Sequence, residues 1–413
     1  MSRMTTIAVQ EPAQARWLTA GLCGAEVAGM ASYAGFFAQV PQLAAAWQLS
    51  PAAAGAVSGA FYAGYMLAVP ILVTLTDRVD PRRVYLASMT ASAVATLAFA
   101  LVARGMWSAA ALHFLMGIGL AGTYMPGLRL LTDRLAGLAR SRAVAFYTGS
   151  YALGAALSFL LIGVLARHVG WRWAFAGAAA GPLLALAGVG MLVAPLRRDG
   201  FDLGALRLFT HVRPILADRA VLARAIAYAA HNFELFGLWS WAVAFLSFAY
   251  GERPGEPAPI AATTVTAVLT FSLLPASVLG NEIAGRLGPR RWIIGVMIVS
   301  AAMAGGLGFL AGSVATPLII ALLIVYGIAT AAESGALTAS LIAVADPRRH
   351  GTTMALYSMI GFAGSFAGPV VFGLVLEAFG TRTPAGWGMA FLAMGLGALA
   401  GPAAIILLDR QDD

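Results

Sequence analysis

The chain contains no lysine; all 26 of its basic residues are arginine, a bias in keeping with a GC-rich genome and without functional content. It has one cysteine, Cys23, so no internal disulfide can form, and that residue is most simply read as a small packing side chain. Charged residues make up only 11 % of the chain, too few to solvate a soluble surface. No P-loop pattern is present, which argues against direct ATP coupling, and no nucleophile–base motif marks an enzyme. The hydrophilic connections are short apart from one near the middle, so no extramembrane domain is expected to carry soluble catalysis. The first sixteen residues hold Glu11 with Arg3 and Arg16 and no cleavage pattern, so the first apolar run is expected to stay as a span.

What the sequence has instead is apolar length. Hydrophobic residues make up 60 % of it, in runs of about 20 that can each cross a hydrocarbon core of ~30 Å as a helix. Twelve such runs fall at roughly 18–40, 54–75, 84–103, 108–131, 143–166, 172–194, 221–249, 260–280, 292–312, 317–344, 353–377 and 387–408. The 47 glycines suit helices that pack closely through small residues. Arginines sort by side: with both termini cytoplasmic, twenty lie inside, Arg104, Arg167, Arg172, Arg253 and Arg382 lie outside, and Arg129 sits near a span end. The basic charge therefore reports insertion and topology, and no nucleic-acid partner is expected.

The chain also repeats itself. Thr76-Asp77-Arg78-Val79-Asp80-Pro81-Arg82-Arg83 returns as Ala284-Gly285-Arg286-Leu287-Gly288-Pro289-Arg290-Arg291, and Val144-Ala145-Phe146-Tyr147 returns as Met354-Ala355-Leu356-Tyr357. Gly154, Gly163, Gly170 and Arg172 align with Gly364, Gly373, Gly380 and Arg382. The fold expected is all-α and integral to the membrane: twelve transmembrane helices in two pseudo-symmetric six-helix bundles, each of two three-helix repeats. The bundles would occupy 1–195 and 220–413, joined by a polar cytoplasmic linker at 196–219, part of which (Phe201 to Phe209) reads equally as an amphipathic surface helix or a solvated connection.

These residues resemble the major facilitator superfamily over the whole chain. The loop after span 2 is similar to its signature through Asp77, Arg78, Arg82 and Arg83, with Val73 and Asp80 where glycines are usual; in the second copy Gly285 replaces the aspartate. Gly170-Trp171-Arg172-Trp173 is also typical of the group. The resemblance implies that this loop gates the cytoplasmic face, with Asp133, Arg129 and Arg286 belonging to the same network. An aspartate at a helix end can pair with nearby arginines and so favour one of two packed states; the alternative is that these arginines only anchor topology. Arg129 and Asp133 lie one turn apart, which makes Arg129 a partner of Asp133 before it is a substrate ligand.

Few ionisable groups lie deep in the spans: Glu26 in span 1, His113 in span 4, His231 and Glu234 in span 7, and Glu333 in span 10. A buried charge is costly in hydrocarbon, so such groups face water or a partner. Their recurrence on every third helix is what nested triplets predict, and the resemblance implies that the first helix of each triplet lines the central cavity. Glu26 shares a face with Tyr33, His113 with Tyr124, His231 and Glu234 with Trp241, and Glu333 with Tyr326. His231, three residues from Glu234, is expected to be its nearest partner. Each also has a packing alternative, a backbone-bonded histidine in the case of His113.

The expected work is secondary active transport of a small organic solute by alternating access across a bacterial cytoplasmic (inner) membrane, coupled to protons, with no other cofactor and no metal site. Carboxyl groups in a dry cavity are suited to loading and releasing protons as access alternates. Three Glu, two His and no arginine in that cavity suit a neutral or cationic solute, or a weak acid carried protonated. The span-4 and span-5 motifs of drug/proton antiporters are broken, at His113 and Ala155, and the balance falls slightly toward export. Three other readings stand beside this one: an uptake symporter for a small polar solute or anion, resembling cyanate- or nitrate-like carriers and using Arg129; a divalent-metal carrier using His231, Glu234 and Glu333; and a non-transporting membrane assembly factor. Expected partners are the solute, protons and the lipid bilayer, around a monomer.

Overall fold

The computed structural model describes residues 12–196, 212–253, 258–346 and 349–409. The midpoint linker expected at 196–219 falls largely outside these, including its candidate surface helix.

Helices begin where the sequence supplies caps. Ser50 and Thr383 accept hydrogen bonds from the first-turn amides of Ala53 and Gly386, each just before a proline, and Asp80 and Asp218 cap the next helices in the same way. Among the described residues ten helices are long and apolar enough to cross a membrane. They are Pro51–Leu75, Pro81–Val102, Met106–Thr132, Gly137–Leu192, Arg219–Gly251, Ala262–Leu287, Pro289–Leu310, Thr316–Val344, Thr352–Phe379 and Pro384–Leu408. Gly137–Leu192 turns back at Gly170, whose φ of +83° is open to glycine, and so supplies two crossings. With the broken first segment, this gives the twelve spans, numbered here in chain order. Gly380, which aligns with Gly170, ends span 11 with φ +98°.

The first span differs from the continuous run expected at 18–40. It comprises Pro12–Gly29, short 3-10 turns at Met30–Ser32 and Phe37–Gln39, and then Val40–Trp47. Gly29 and Gly35 flank the break, where helix propensity is low, and the unwound stretch is enclosed by protein. Tyr33, Phe36 and Phe37 are all buried there.

Spans 4 and 10 break as well, at matching places. Met106–Ala121 gives way to Tyr124–Thr132 across Gly122-Thr123, and Thr316–Ala331 gives way to Ser334–Val344 across Ala332-Glu333. Unwound turns at membrane depth are tolerated where protein or a cavity satisfies the freed backbone groups.

Within each half the packing pairs correspond: span 1 lies on spans 5 and 6 as span 7 lies on spans 11 and 12, and span 3 lies on span 6 as span 9 lies on span 12. The halves meet along span 2 with span 11 and span 5 with span 8. At the ends of spans 2 and 11 away from the arginine-rich loops the approach is backbone to backbone. A Cβ on Gly55 would stand 2.5 Å from the Pro369 carbonyl oxygen, and one on Gly373 2.4 Å from that of Pro51. Toward the arginine-rich loops the two helices separate.

A close backbone contact within the first half joins spans 2 and 4, where a Cβ on Gly117 would stand 1.9 Å from the Phe61 carbonyl oxygen. Gly117→Val should therefore cost about 3 kcal/mol and lower the thermal midpoint and the monodisperse yield in detergent. Gly24→Ala, with nothing within 4 Å of the added carbon, is expected to change neither. Equal midpoints for the two variants would remove the close-packing account.

Candidate functional site

Where the halves separate they enclose a cavity of about 520 Å³. Tyr65, Val69 and Val73 of span 2, Tyr124 and Met125 of span 4 and Tyr151 of span 5 form one wall; Tyr228, His231, Asn232 and Phe236 of span 7 and Met354, Ser358 and Phe362 of span 11 form the other. The far end is sealed by rings from both halves: Tyr62 against Phe236 with centroids 4.8 Å apart, Tyr65 against Phe362 at 4.0 Å, and Tyr33 edge-on to Trp239 at 6.2 Å. The cavity thus opens toward the arginine-rich loops and is closed on the other side.

Of the residues expected to face the cavity, His231 and Tyr124 line it. The others lie behind the wall or in the seal. His231 Nδ1 is 2.9 Å from Glu333 Oε1, so the side chain at the break of span 10 is joined to the cavity through the imidazole. Both residues are buried, and Glu333 Oε2 has no partner among the described residues. This corrects the expectation that His231 pairs with Glu234. One turn on, Glu234 points away from the cavity into its own half, where Tyr326 donates its hydroxyl to Oε1 and Ser300 donates to Oε2, each at 2.9 Å. The i, i+3 spacing put the two side chains on one helix face, but neighbouring spans 9 and 10 supply better partners for each.

Glu26 holds the corresponding place in the first half. Tyr147 donates to its Oε2 at 2.8 Å and also lies 3.2 Å from the Thr123 carbonyl at the break of span 4. Tyr147 stacks on the cavity residue Tyr124 with centroids 6.0 Å apart, which leaves Glu26 one ring behind the wall. His113 is remote from the cavity. Its Nδ1 bonds the Val57 carbonyl at 2.8 Å, and the ring sits among Phe36, Phe37 and Phe61. Tyr33 meets the Tyr62 hydroxyl at 3.1 Å, and Trp241 donates to the Pro369 carbonyl at 3.0 Å.

At the loop end, Arg129 pairs with Asp77 and donates to the Thr76 hydroxyl at 3.1 Å, while its Nε stands 3.9 Å from Asp133. These four residues tie the end of span 2 to span 4 within one half. Arg82 donates to the Gly190 carbonyl at 2.7 Å, and Asp80 accepts from the Leu196 amide at 2.8 Å, fastening the same loop to the end of span 6. Arg78 makes a further interaction in this region. Arg83 and Arg286 are exposed and form no ion pair with a described residue. Arg129, held in this way, does not reach the cavity lining.

Sequence reasoning missed Tyr147, Tyr228, Asn232 and Tyr357. Tyr228 stacks flat on Tyr357 at 4.1 Å beside His231. The signal for two of them was present, because Tyr147 and Tyr357 end the two copies of the second repeat.

Comparison with known proteins agrees with this architecture. The family model of the Major Facilitator Superfamily matches residues 22–369 and again 225–413. A probable sphingolipid transporter, spinster homolog 2 of Arabidopsis thaliana, is 24 % identical over 205 residues, 45 % of this chain and 42 % of the relative. Protein spinster homolog 3 of Danio rerio is 24 % identical over 206 residues, 48 % of this chain and 41 % of the relative. The chain thus matches less than half the length of these relatives. Among solved structures, a bacterial homolog of the human lysosomal transporter Spinster, in an inward-facing and unoccupied conformation, superposes with TM-score 0.79 at 18 % identity, covering 97 % of this chain and 98 % of that one. The nucleoside transporter NupG superposes with TM-score 0.75 at 14 % identity over 96 % and 100 %. These likenesses extend to the fold alone. The chain belongs to the Major Facilitator Superfamily and is a membrane transporter, not an enzyme.

Proposed function

We propose that this transporter carries a lipophilic organic solute in exchange for, or together with, protons, with export as the favoured direction. It would work by alternating access across a bacterial cytoplasmic membrane, both termini inside. The observation that carries the reading is the contact of His231, on the cavity wall, with the buried carboxyl group of Glu333 at the break of span 10. A buried carboxyl with one free oxygen and an imidazole between it and the cavity is a route by which a proton and a solute can compete for one set of interactions. The aromatic and methionine-bearing wall supports a solute with a large apolar part. No arginine lines it, which disfavours a strongly anionic one. The sphingolipid named for one relative is in keeping with a long-chain amphiphile. His231 and Glu333 bond each other while Glu234 is held apart by Tyr326 and Ser300, and among the described residues no three such side chains converge as metal ligands.

In proteoliposomes, solute accumulation should collapse when a protonophore removes the pH gradient and potential. Undiminished uphill transport with no other ion gradient present would exclude proton coupling. Glu333→Gln is expected to abolish uphill transport while leaving solute exchange in place.

Glu234 provides a contrast, since its two oxygens each accept from a hydroxyl. Glu234→Gln can keep both contacts, its carbonyl accepting from Tyr326 and its amide donating to Ser300, and should fold with a near-normal thermal midpoint. Glu234→Leu strands the Tyr326 hydroxyl and should lose about 1–3 kcal/mol, whereas Ser300 keeps the Met297 carbonyl at 3.1 Å as an acceptor. If Glu234→Gln is also fully active and Glu333→Gln is inactive, the proton route runs through span 10; the reverse result would move it to span 7.

The tie between Asp77 and Arg129 is proposed to set the balance between the two access states. In a Cys23→Ser background carrying Ser358→Cys as a cavity reporter, Asp77→Asn should change the labelling rate several-fold with expression near normal. Unchanged labelling and full transport would leave Asp77 as a topology residue only.

A further inference from the structure

The second half carries a groove of about 700 Å³ between spans 9 and 10 that faces away from the transport cavity. Val296, Val299 and Met303 form one side, and Val325 and Ile328 the other. Val299, Val325 and Ile328 are roughly half exposed, so the groove opens on the surface that contacts lipid. Small residues make it: a Cβ added to Gly295 would meet nothing within 4 Å, and Ala329 and Ala332 lie opposite. At the corresponding place in the first half span 4 packs closely on span 3, and a Cβ on Gly119 or Gly122 would strike Ser92 at 2.8 Å or Ser88 at 1.8 Å.

The loop end of the groove is cationic. Arg291 lines it, next to Trp292, whose indole N–H donates to the Ala332 carbonyl at 3.2 Å. Arg290 stands beside Arg291 in sequence, and Arg286 lies in the last turn of span 8, just before the bend at Gly288; all three are exposed, and none forms an ion pair with a described residue. An arginine and a tryptophan at a span end sit at headgroup depth. The arrangement is apolar along its length and positive at its mouth, complementary to one acyl chain below a phosphate. A guanidinium can hold that phosphate through two hydrogen bonds. The floor of the groove, Ala332, is the residue just before Glu333, so its occupant would bear on the helix break that supplies the buried carboxyl group.

We infer that this groove is a binding site for one anionic phospholipid, its acyl chain between spans 9 and 10 and its phosphate on Arg291. The inference is independent of the solute and of proton coupling. It can be tested by native mass spectrometry of the full-length protein in detergent with equal phosphatidylglycerol and phosphatidylcholine of matched chains. The wild type should retain a single phosphatidylglycerol in preference by about fivefold, the effect of one well-placed interfacial arginine. Arg291→Gln should bring the two lipids close to parity, whereas Arg142→Gln, which removes an arginine-rich-side charge from the other half, should leave the preference unchanged. Gly295→Phe, or Ala329→Phe if that variant is poorly folded, should fill the groove and reduce retention of both lipids. Parity in the wild type would overturn the site. So would equal effects of the two arginine variants, which would mean diffuse charge attraction, or undiminished retention in the filled groove, which would mean ordinary annular lipid.

Discussion

A carboxyl group in hydrocarbon must find hydrogen-bonding partners or water, and the interior of this protein is arranged around that requirement. Glu26, Glu234 and Glu333 are all buried, and each is met by a side chain from another span: Tyr147, Tyr326 with Ser300, and His231. Left unpaired, each would cost several kcal/mol on most scales. These contacts tie together span 1 with span 5 and span 7 with spans 9 and 10. The breaks of spans 4 and 10 follow the same logic, because each places an unwound turn where a partner waits: the Thr123 carbonyl near Tyr147, and the Glu333 side chain against His231.

The duplication explains both the likeness of the halves and their difference. Glu26 and Glu234 occupy equivalent places, since 234 − 26 is the same 208 that separates Asp77 from Gly285. Yet the tyrosine that satisfies each comes from a different helix, span 5 in the first half and span 10 in the second. Glu333, in the second break, has no acidic counterpart in the first half, where Thr123 stands at the matching place. The second half therefore holds the two deep carboxyls Glu234 and Glu333 and the cavity histidine. The first half contributes aromatic wall and the ion-paired loop around Asp77, Arg129 and Asp133. A chain built by repetition has become asymmetric at the positions where chemistry differs.

That asymmetry marks how far the sequence could be read. Span number, membrane class and family were legible because apolar length, arginine sorting and the repeated loop are one-dimensional signals. The five deep ionisable residues were legible for the same reason, being rare in apolar runs. Their partners were not. His231 and Glu234 share a helix face by spacing, but hydrogen-bond geometry across spans 7, 9 and 10 separates them, and no pattern along one helix encodes that. His113 looked equivalent to the others by rarity alone; its Nδ1 bonds the Val57 carbonyl with no cavity near, and its Nε2 has no partner among the described residues. The break in span 1 escaped because its residues are as apolar as those of a continuous helix. Tyr147 and Tyr357 could have been found, since a repeat that preserves a polar aromatic inside a span asks what its hydroxyl bonds.

The two ends of the cavity are held by different physics, and this bears on how it alternates. At the sealed end the halves meet through glycine-mediated backbone approach, three aromatic contacts and a hydrogen bond from the Ala52 amide to the Glu377 carboxylate at 2.9 Å, with no ion pair between halves among the described residues. Each ring pair contributes about 0.5–1.5 kcal/mol beyond the area it buries, so the three together amount to a few kcal/mol. A difference of that size can be overcome by differential binding of a solute or a proton, and a much larger one would trap the protein in a single state. At the open end the ion pairs lie within the first half and do not bridge the cavity. Closing that end would bring the Asp77 loop toward the start of span 11, where Arg349 already pairs with Asp346, and exchange of partners between these two surface pairs would cost little. A seal of modest aromatic contacts opposite a set of exchangeable surface charges leaves the two states close in energy, which is what a carrier needs from the parts of its fold that never touch the solute.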